Sequence, residues 1–417
     1  MRLTLLSGCV LLVASMVTAE DWPQFRGPTG QGLSEVSDVP VTWSETENIA
    51  WKVAIPGSGW SSPVIANDRV YLTTAVPTDA GHELRVLCLD AGSGETLWDI
   101  KAFDQPEGET VEKHAKNSHA SPTPVIDGDR LYVHFGPHGT ACLRLDDGET
   151  VWKNREVTYA PNHGNGSSPA LAGDMLVITC DGRDIQFVLG MNKSTGEIAW
   201  RTDRDVHPDK GFSFCTPLII DVNGQPQAIC PGSGAVFAYN PQTGEEIWRV
   251  TYGEGFSVVP RPVFGQGLVF ICTGFGDGRL LAIDPTGTGD ITESHVRWTA
   301  DRGVPRSPSL LQVGKELFAV DDTGIATCLD AATGEKHWQK RLGGNFSASP
   351  LFVAGRIYFQ DEQGNATVVN ASTTFEKLSK NALSGDERTF ASLAVHNGAL
   401  LLRSEGYLYR IETSPAG

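Results

Sequence analysis

The sequence predicts an all-β protein: an eight-bladed β-propeller of four-stranded antiparallel blades. Three observations predict this fold. Tryptophans recur at spacings of 40 to 54 residues, a glycine-containing turn precedes most of them, and each period holds four short β-rich runs. No segment of useful length shows helical periodicity, and four strands per period of this length are typical of a propeller blade. The recurring residues are Trp51, Trp98, Trp152, Trp200, Trp248, Trp298 and Trp338.

The turn ahead of each tryptophan predicts a hairpin. One example runs from Asp90 through Gly94 to Trp98, and another runs from Asp330 through Gly334 to Trp338. Asp and Asn side chains bond to nearby backbone N–H groups, and glycine accepts a positive φ. Each such phrase therefore joins the third strand of a blade to the fourth.

A second phrase, which begins at a proline mostly preceded by Ser or Thr, predicts the start of each blade. An apolar run follows the proline, then a short turn and a second β-rich run, so that each unit carries four strands. Seven prolines mark these starts: Pro63, Pro124, Pro169, Pro217, Pro262, Pro308 and Pro350. Serines that recur at this point, namely Ser62, Ser168, Ser307 and Ser349, are interpreted as one repeated structural position, which a catalytic nucleophile would not be.

The two ends of the propeller are predicted to share one blade. Residues 392–396, 399–403 and 407–411 form three β-rich runs without a fourth, whereas residues 48–55 carry a repeat tryptophan, Trp51, with no blade in front of it. Pairing the N-terminal strand with the last C-terminal strand closes the ring. Closure removes the exposed edges that an open array of blades would offer for aggregation.

The chain divides into three predicted parts. Residues 1–19 resemble an export signal, with Arg2 at the start, an apolar stretch, and small residues before Glu20. Lipid anchoring at Cys9 is the less favoured alternative, because the apolar run continues past this cysteine. Residues 20–45 form an N-terminal extension and residues 46–417 a single propeller. We expect a monomer in the periplasm or secreted, with no transmembrane span after the signal is removed.

Charge and cysteine content exclude several classes of protein. The chain of 417 residues has 50 acidic against 33 basic side chains, a net charge of -17, and it lacks a basic run that could displace counterions from nucleic acid. Seven cysteines follow the signal, without a CxxC pair, so zinc-ribbon, thioredoxin-like and c-type haem sites lack their spacing. Mostly unpaired, buried cysteines are predicted.

The repeated phrase that ends at each tryptophan resembles the tryptophan docking motif of the pyrroloquinoline-quinone-type (PQQ-like) β-propeller repeats. The likeness is carried by Asp330, Thr333, Gly334 and Trp338 and by their counterparts, over about residues 46–412. It implies that each tryptophan packs between neighbouring blades, as a belt around the ring. The opening at residues 22–32, Trp-Pro-Gln-Phe-Arg-Gly, is similar to that of secreted single-propeller bacterial members.

This family includes quinoprotein dehydrogenases and the lipoprotein scaffold of outer-membrane assembly. The resemblance implies that a dehydrogenase would use adjacent cysteines against the quinone and a calcium site of carboxylates and amides; the sequence has no adjacent cysteines. We therefore predict an exported, non-enzymatic binding or assembly scaffold without a cofactor, and assign no catalytic, cofactor or metal residue. The alternative is a quinone-dependent alcohol or sugar oxidoreductase, which would need pyrroloquinoline quinone and calcium.

A candidate binding site is predicted at the mouth of the central channel, on the loops that lead into the proline phrases. These loops supply polar groups where other blades carry small residues, together with the aromatics Trp60, Phe212, Phe214, Phe346 and Phe390. Such a set could bind an anionic or sugar-like ligand, or a peptide of a partner protein. The predicted binding residues are His119, His163, Asn165, Arg261 and Arg306.

Overall fold

Eight antiparallel sheets follow one another around a ring in a computed structural model, which describes residues 21–109, 112–383 and 387–413. The predicted eight-bladed propeller is thereby confirmed. The predicted export signal, residues 1–19, and the alternative lipid anchor at Cys9 lie outside the described residues. Among those that are described, no helix is long and apolar enough to cross a membrane.

Each blade runs from an innermost strand at the central channel to an outermost strand at the rim. The strands are, in that order, Val64–Ala66, Arg69–Thr78, Gly81–Asp90 and Thr96–Pro106 in blade 1; Val125–Asp127, Arg130–His134, Thr140–Arg144 and Thr150–Asn154 in blade 2; Ala170–Ala172, Met175–Asp181, Gln186–Asn192 and Ile198–Asp203 in blade 3; Leu218–Val222, Gln225–Pro231, Ala235–Tyr239 and Glu246–Thr251 in blade 4; Val263–Gly265, Leu268–Cys272, Leu280–Ile283 and Val296–Ala300 in blade 5; Leu311–Val313, Glu316–Val320, Ile325–Asp330 and Lys336–Arg341 in blade 6; Leu351–Val353, Arg356–Gln360, Ala366–Asn370 and Lys377–Asn381 in blade 7; and Ala394–His396, Ala399–Arg403, Tyr407–Ile411 and Ile49–Ala54 in blade 8.

A few short elements lie outside the four-stranded blades. Two-residue strands, Leu33–Ser34 and Gly289–Asp290, add in parallel to the inner edge of blade 7 and the outer edge of blade 4. One α-helical turn, Thr292–His295, and two 3₁₀ turns, Glu107–Glu109 and Gly136–His138, lie in connections.

Blade 8 confirms the predicted closure between the chain ends. Its outermost strand, Ile49–Ala54, pairs antiparallel with Tyr407–Ile411 and places Lys52 opposite Tyr409. The Lys52 ammonium lies 4.3 Å from the centre of the Tyr407 ring, a cation–π contact across the same pair of strands. The first and last strands of the propeller are thus joined by backbone bonds and by side chains.

Six of the seven repeat tryptophans hydrogen-bond from one blade to the next. The indole N–H of Trp51, for example, donates to the Ala91 carbonyl at 3.2 Å, and that of Trp152 donates to the Lys193 carbonyl at 2.9 Å. Trp98, Trp200, Trp298 and Trp338 make the same contact. Trp248 instead bonds to Gln227 of its own blade, because a longer connection, residues 284–295, replaces the short turn in blade 5.

Apolar side chains fill the spaces between blades, and the seven cysteines at positions 88 to 328 belong to this core. All seven are buried and free within the described part of the chain. Burial raises the pKa of the Cys88 thiol to about 12, so this group stays protonated at neutral pH. These cysteines pack as small apolar residues.

Residues 22–34, which we call the plug, occupy the central channel. The Trp22 backbone forms a two-bond bridge with Ile65 of blade 1, and the Pro23 carbonyl accepts the Ile126 N–H of blade 2. Farther along, the Gln31 side chain accepts the Phe264 N–H of blade 5. Residues 22–34 of the predicted N-terminal extension thus pack inside the ring against the innermost strands.

Two buried arginines hold the plug in place. Arg261 of blade 5 donates to the Phe25 carbonyl at 2.7 Å and to the Gln24 side chain at 3.2 Å, while Arg26 donates to the Leu310 carbonyl at 2.7 Å. Neither guanidinium pairs with a carboxylate among the residues that the structure covers. Burial, together with the nearby Arg261 charge, lowers the pKa of Arg26 to about 9, and burial lowers that of Arg261 to about 10. Both remain charged at neutral pH.

Ring closure predicts the effect of an N-terminal truncation. A chain that starts at Gly57 lacks the outermost strand of blade 8, whereas a chain that starts at residue 46 lacks the plug and residues 35–45 but keeps that strand. We expect the shorter chain to melt about 10 °C or more below the longer one, because the edge of Tyr407–Ile411 becomes exposed and the Trp51 contact is lost. Circular dichroism melting of both chains measures this difference, and equal melting temperatures would contradict closure by this strand.

Because Gly30 packs against Arg261 in the plug, we expect a substitution by alanine there to lower the free energy of unfolding. This glycine has a φ of +69°, and a Cβ there would lie 2.5 Å from Nη1 of Arg261. Gly267, with a φ of +74° and no atom within 4 Å of the place where a Cβ would lie, is a matched control for the backbone strain alone. We expect Gly30→Ala to lower the free energy of unfolding by about 1 to 3 kcal/mol more than Gly267→Ala, as overpacking does. Urea unfolding compares the two, and an equal loss would show that Arg261 does not fix this turn.

Candidate functional site

A ring of hydroxyl groups surrounds the channel where the innermost strands begin. The Ser62 N–H donates to the Thr123 hydroxyl at 2.9 Å, and the Thr123 N–H donates to the Ser168 hydroxyl at 2.9 Å. The pattern continues from blade to blade and returns when the Ser392 N–H donates to the Ser62 hydroxyl at 3.0 Å. Its members are Ser62, Thr123, Ser168, Thr216, Ser309, Ser349 and Ser392. The repeated serines therefore serve structure, as their recurrence indicates.

Blade 6 departs from the predicted alignment of this ring. Ser309, not Ser307, occupies the repeated position, and Leu310 stands where other blades have their proline. The Ser307 hydroxyl instead donates to the Asp322 carboxylate at 2.6 Å. The assignment of Pro308 and Ser307 was wrong by two residues, because the proline of this blade lies earlier than in the others.

Blade 5 is the one described interruption of the ring, since Arg261 stands at the hydroxyl position. Its backbone N–H still donates to Ser309, but its side chain bonds to the Pro217 carbonyl at 3.1 Å and reaches down to the plug. The departure from the repeat thus serves to hold residues 22–34.

Above this ring lies a cavity of about 340 Å³, which we call the funnel. Phe25 of the plug forms its floor together with the hydroxyl ring, and all eight connections between blades contribute to its wall. The plug lies in the channel beneath the funnel. Six aromatic side chains line it: Trp60, Phe212, Phe214, Phe256, Phe275 and Phe390.

The aromatic side chains contact one another around the wall. The Phe212 ring lies 6.0 Å from that of Phe256, which lies 6.4 Å from Phe275, and across the funnel Trp60 meets Phe390 edge-on at 4.7 Å. These spacings suit edge-to-face and tilted ring pairs, which stabilise one another. The wall is therefore a preformed apolar surface.

Polar groups of the funnel concentrate on the connection from blade 1 to blade 2. The Lys116 ammonium pairs with the Glu362 carboxylate at 2.6 Å, and the Asn117 side chain donates to the His163 carbonyl at 2.9 Å. The His114 and His163 rings lie 5.7 Å apart. Within the described part of the chain, neither histidine hydrogen-bonds to a serine hydroxyl, so these two histidines form no Ser–His pair.

The structure does not bring the five predicted binding residues together. His163 lines the funnel, and the Arg306 guanidinium lies 5.4 Å from the Phe275 ring at the rim. Asn165 accepts a bond from the Tyr159 hydroxyl outside the funnel, and Arg261 is buried below the floor. The His119 ring packs against the His82 ring at a tilt, with centres 4.4 Å apart and away from the lining, and burial is the main cause that lowers the pKa of His119 to about 4.

The sequence pattern missed three funnel aromatics, Phe25, Phe256 and Phe275. Phe25 belongs to the plug, which no repeat predicts. Phe256 precedes Pro262 by six residues, farther than Trp60 and Phe214 precede their prolines. Phe275 follows the second strand of blade 5 between two glycines, a signal for an exposed turn. Phe346, in contrast, is buried in the core beside blade 6 and does not line the funnel.

The residues of the funnel do not fit pyrroloquinoline quinone with calcium. The quinone carries three carboxylates, whereas the one lysine of the lining is already paired with Glu362, and no cysteine lies on the wall. Among the described residues, no group of three His, Cys, Asp or Glu side chains could hold a metal ion. The lining suits an apolar group instead.

Comparison with known proteins places this architecture in a family. The protein-family model described as "Outer membrane protein assembly factor BamB" matches residues 85–312 and 296–409. BamB of Burkholderia pseudomallei is 24% identical over 419 residues, which cover 97% of this chain and 95% of that protein. The crystal structure of BamB from Moraxella catarrhalis superposes with a TM-score of 0.62 at 14% identity, covering 88% of this chain and 98% of the other, which shows the shared fold.

Two enzymes are also similar over parts of their length. Tetrathionate hydrolase of Acidithiobacillus ferrooxidans is 22% identical over 343 residues, 76% of this chain, and the chain spans 65% of the hydrolase. Subunit 1 of methanol dehydrogenase from Methylorubrum extorquens is 29% identical over 156 residues, 32% of this chain and 23% of that subunit. Since the family model covers most of the propeller, the chain belongs to the BamB family of PQQ-like β-propeller proteins.

Proposed function

We propose that this protein is an exported, non-enzymatic scaffold that binds a partner protein by receiving an apolar side chain in the funnel. The observation that carries the proposal is the funnel itself, with about 340 Å³ of space, six aromatic side chains on its wall and a floor closed by Phe25. A cavity of this size lies within the usual range for binding sites.

The energetics of the funnel favour recognition of one large side chain. Burying an aromatic or branched aliphatic side chain contributes roughly 1.5 to 3 kcal/mol. The wall rings are already packed against one another, and the hydroxyl ring fixes the start of each blade, so little ordering accompanies binding. This rigidity suits a scaffold that holds a segment of another protein.

Relatives and sequence support the cellular setting. BamB proteins carry the name of outer membrane protein assembly factors, and one of them covers nearly the whole chain. The export signal expected at residues 1–19 agrees with a periplasmic scaffold that assists assembly of outer-membrane proteins. The repeat tryptophans join the blades that present the funnel, as expected for a tryptophan docking motif.

An oxidoreductase that uses pyrroloquinoline quinone is the second candidate, since methanol dehydrogenase is similar over 156 residues. The cations at the funnel rim that lack a carboxylate partner among the described residues, Lys210 and Arg306, lie over the Phe256 and Phe275 rings and not in the lining, and the sequence has no adjacent cysteines. The chemistry of the funnel therefore favours the scaffold.

Peptide titration tests the scaffold function. We expect the purified chain from residue 20 to bind acetyl-Gly-Gly-Phe-Gly-Gly-amide more tightly than the Leu peptide, and the Ala peptide least, because the funnel buries the side chain. The double variant Phe212→Ala, Phe256→Ala should weaken binding of the Phe peptide about 10-fold or more. Leu378→Ala, at an exposed site on the rim of blade 7, is the control and should leave binding unchanged. Calorimetry measures all three proteins.

Two outcomes would contradict this function. Equal affinity for the Phe and Ala peptides, or an unchanged affinity in the double variant, would show that the funnel does not receive the side chain. Dye reduction with an alcohol or a sugar after addition of pyrroloquinoline quinone and Ca²⁺ would show an enzyme instead.

A further inference from the structure

Two cations flank a pair of wall rings on the side of the funnel formed by blades 4 and 5. The Lys210 ammonium lies 4.2 Å from the centre of the Phe256 ring, and the Arg306 guanidinium lies 5.4 Å from the centre of the Phe275 ring. The two rings are neighbours, with centres 6.4 Å apart, and their backbones form a β-bridge. These contacts link the four side chains in the order Lys210, Phe256, Phe275, Arg306.

These two cations differ from Lys116 and Arg388 of the funnel because they lack an ionic partner among the described residues. Lys116 pairs with Glu362 at 2.6 Å, and Arg388 pairs with Glu405 at 2.7 Å. Over the described residues, neither the Lys210 ammonium nor the Arg306 guanidinium lies within 4 Å of a carboxylate oxygen. Asp322 is near Arg306 but accepts bonds from the Arg306 N–H and from Ser307, so it fixes the backbone of this loop.

The contacts with the rings explain how unpaired cations are held at the rim. A cation over an aromatic face is attracted by the ring and needs no carboxylate to position it. Both side chains are exposed, so their remaining N–H groups can reach a ligand. In a chain with a net charge of -17, two unpaired cations beside an apolar cavity favour an anionic group next to the bound side chain.

The contacts of the two cations indicate how many carboxylates a ligand would carry and where. The two cations contact different rings, whose centres are 6.4 Å apart, so two carboxylates, one for each cation, suit this pair. In an extended peptide, alternate side chains point to the same face, and residues four apart are separated by about 13 Å. A peptide with an aromatic residue, and with an acidic residue two positions before it and two positions after it, offers one carboxylate to each cation.

We infer that the funnel binds an extended acidic segment of a partner protein, in which an aromatic side chain enters the cavity and flanking carboxylates contact Lys210 and Arg306. This inference rests on the proposed scaffold function and names the chemistry of its ligand. The charge-assisted contacts would be made at the rim and the apolar contact inside. Selectivity would then come from the rim and most of the binding energy from the funnel.

Three peptides separate the contribution of the carboxylates at the rim from that of the aromatic side chain in the funnel. They are acetyl-Gly-Asp-Gly-Phe-Gly-Asp-Gly-amide, the same peptide with Asn at both Asp positions, and the same peptide with Ala for Phe. At low salt we expect the acidic Phe peptide to bind about 10-fold tighter than the Asn peptide, and 0.5 M NaCl (about five times the salt that gives a Debye length near 10 Å) to remove the advantage. The Ala peptide should bind least.

Matched variants locate the charge. Lys210→Gln with Arg306→Gln should abolish the preference for Asp over Asn, measured as the ratio of the two affinities in the same protein. Lys340→Gln with Lys377→Gln removes the same charge from the outer strands of blades 6 and 7 and should preserve the preference. Calorimetry gives the affinities.

The outcomes distinguish this inference from the proposed function. Equal affinity for the Asp and Asn peptides, or a preference that survives Lys210→Gln with Arg306→Gln, overturns the inference and leaves the scaffold function standing. Tight binding of the acidic Ala peptide also overturns it, because the cations would then act without the funnel. If neither Phe peptide binds, the scaffold function itself fails.

Discussion

The pairing of Ile49–Ala54 with Tyr407–Ile411 is the interaction on which the rest of the structure depends. Each blade buries its faces against its two neighbours, and its inner loop meets the other loops only when the circle is complete. Six indole bonds join successive blades around the circle, and the ring of hydroxyls accompanies them with an interruption at blade 5. Without that pairing, the Tyr407–Ile411 edge of blade 8 would be open, and the eight connections that form the funnel would not converge.

The plug makes the two ends of the central channel different. Residues 22–34 lie in the channel, and Phe25 of this segment lines the funnel from below. A single departure from the repeat makes this possible, because Arg261 gives up the hydroxyl bond of its blade and uses its side chain to hold Gln24 and Phe25. Two buried guanidinium groups are bonded to neutral oxygens, and burying these charges without a carboxylate costs free energy of folding. Removal of the plug would open the floor of the funnel.

Much of the fold could be predicted because the sequence repeats it, while the site could not, because function lies in the parts that do not repeat. The orphan strand at Trp51 and the incomplete C-terminal blade predicted closure from residues far apart in the chain. Arg261 broke the pattern and was therefore expected at a binding surface, but long-range contacts with an unrepeated segment explain it. Phe256 and Phe275 lie in loops without a periodic signal, and only the folded ring brings them beside Lys210 and Arg306.

The central claim is that the closed and plugged ring makes one apolar funnel that receives the side chain of a partner. Fluorine NMR of protein labelled with 4-fluorophenylalanine tests it most directly, since the chain has 17 phenylalanines inside and outside the funnel. With resonances assigned by Phe→Leu variants, we expect the acidic Phe peptide to shift Phe25, Phe212, Phe256 and Phe275 and to leave the blade residues Phe237 and Phe318 unmoved. Saturable binding that shifts none of the four funnel signals would contradict the account.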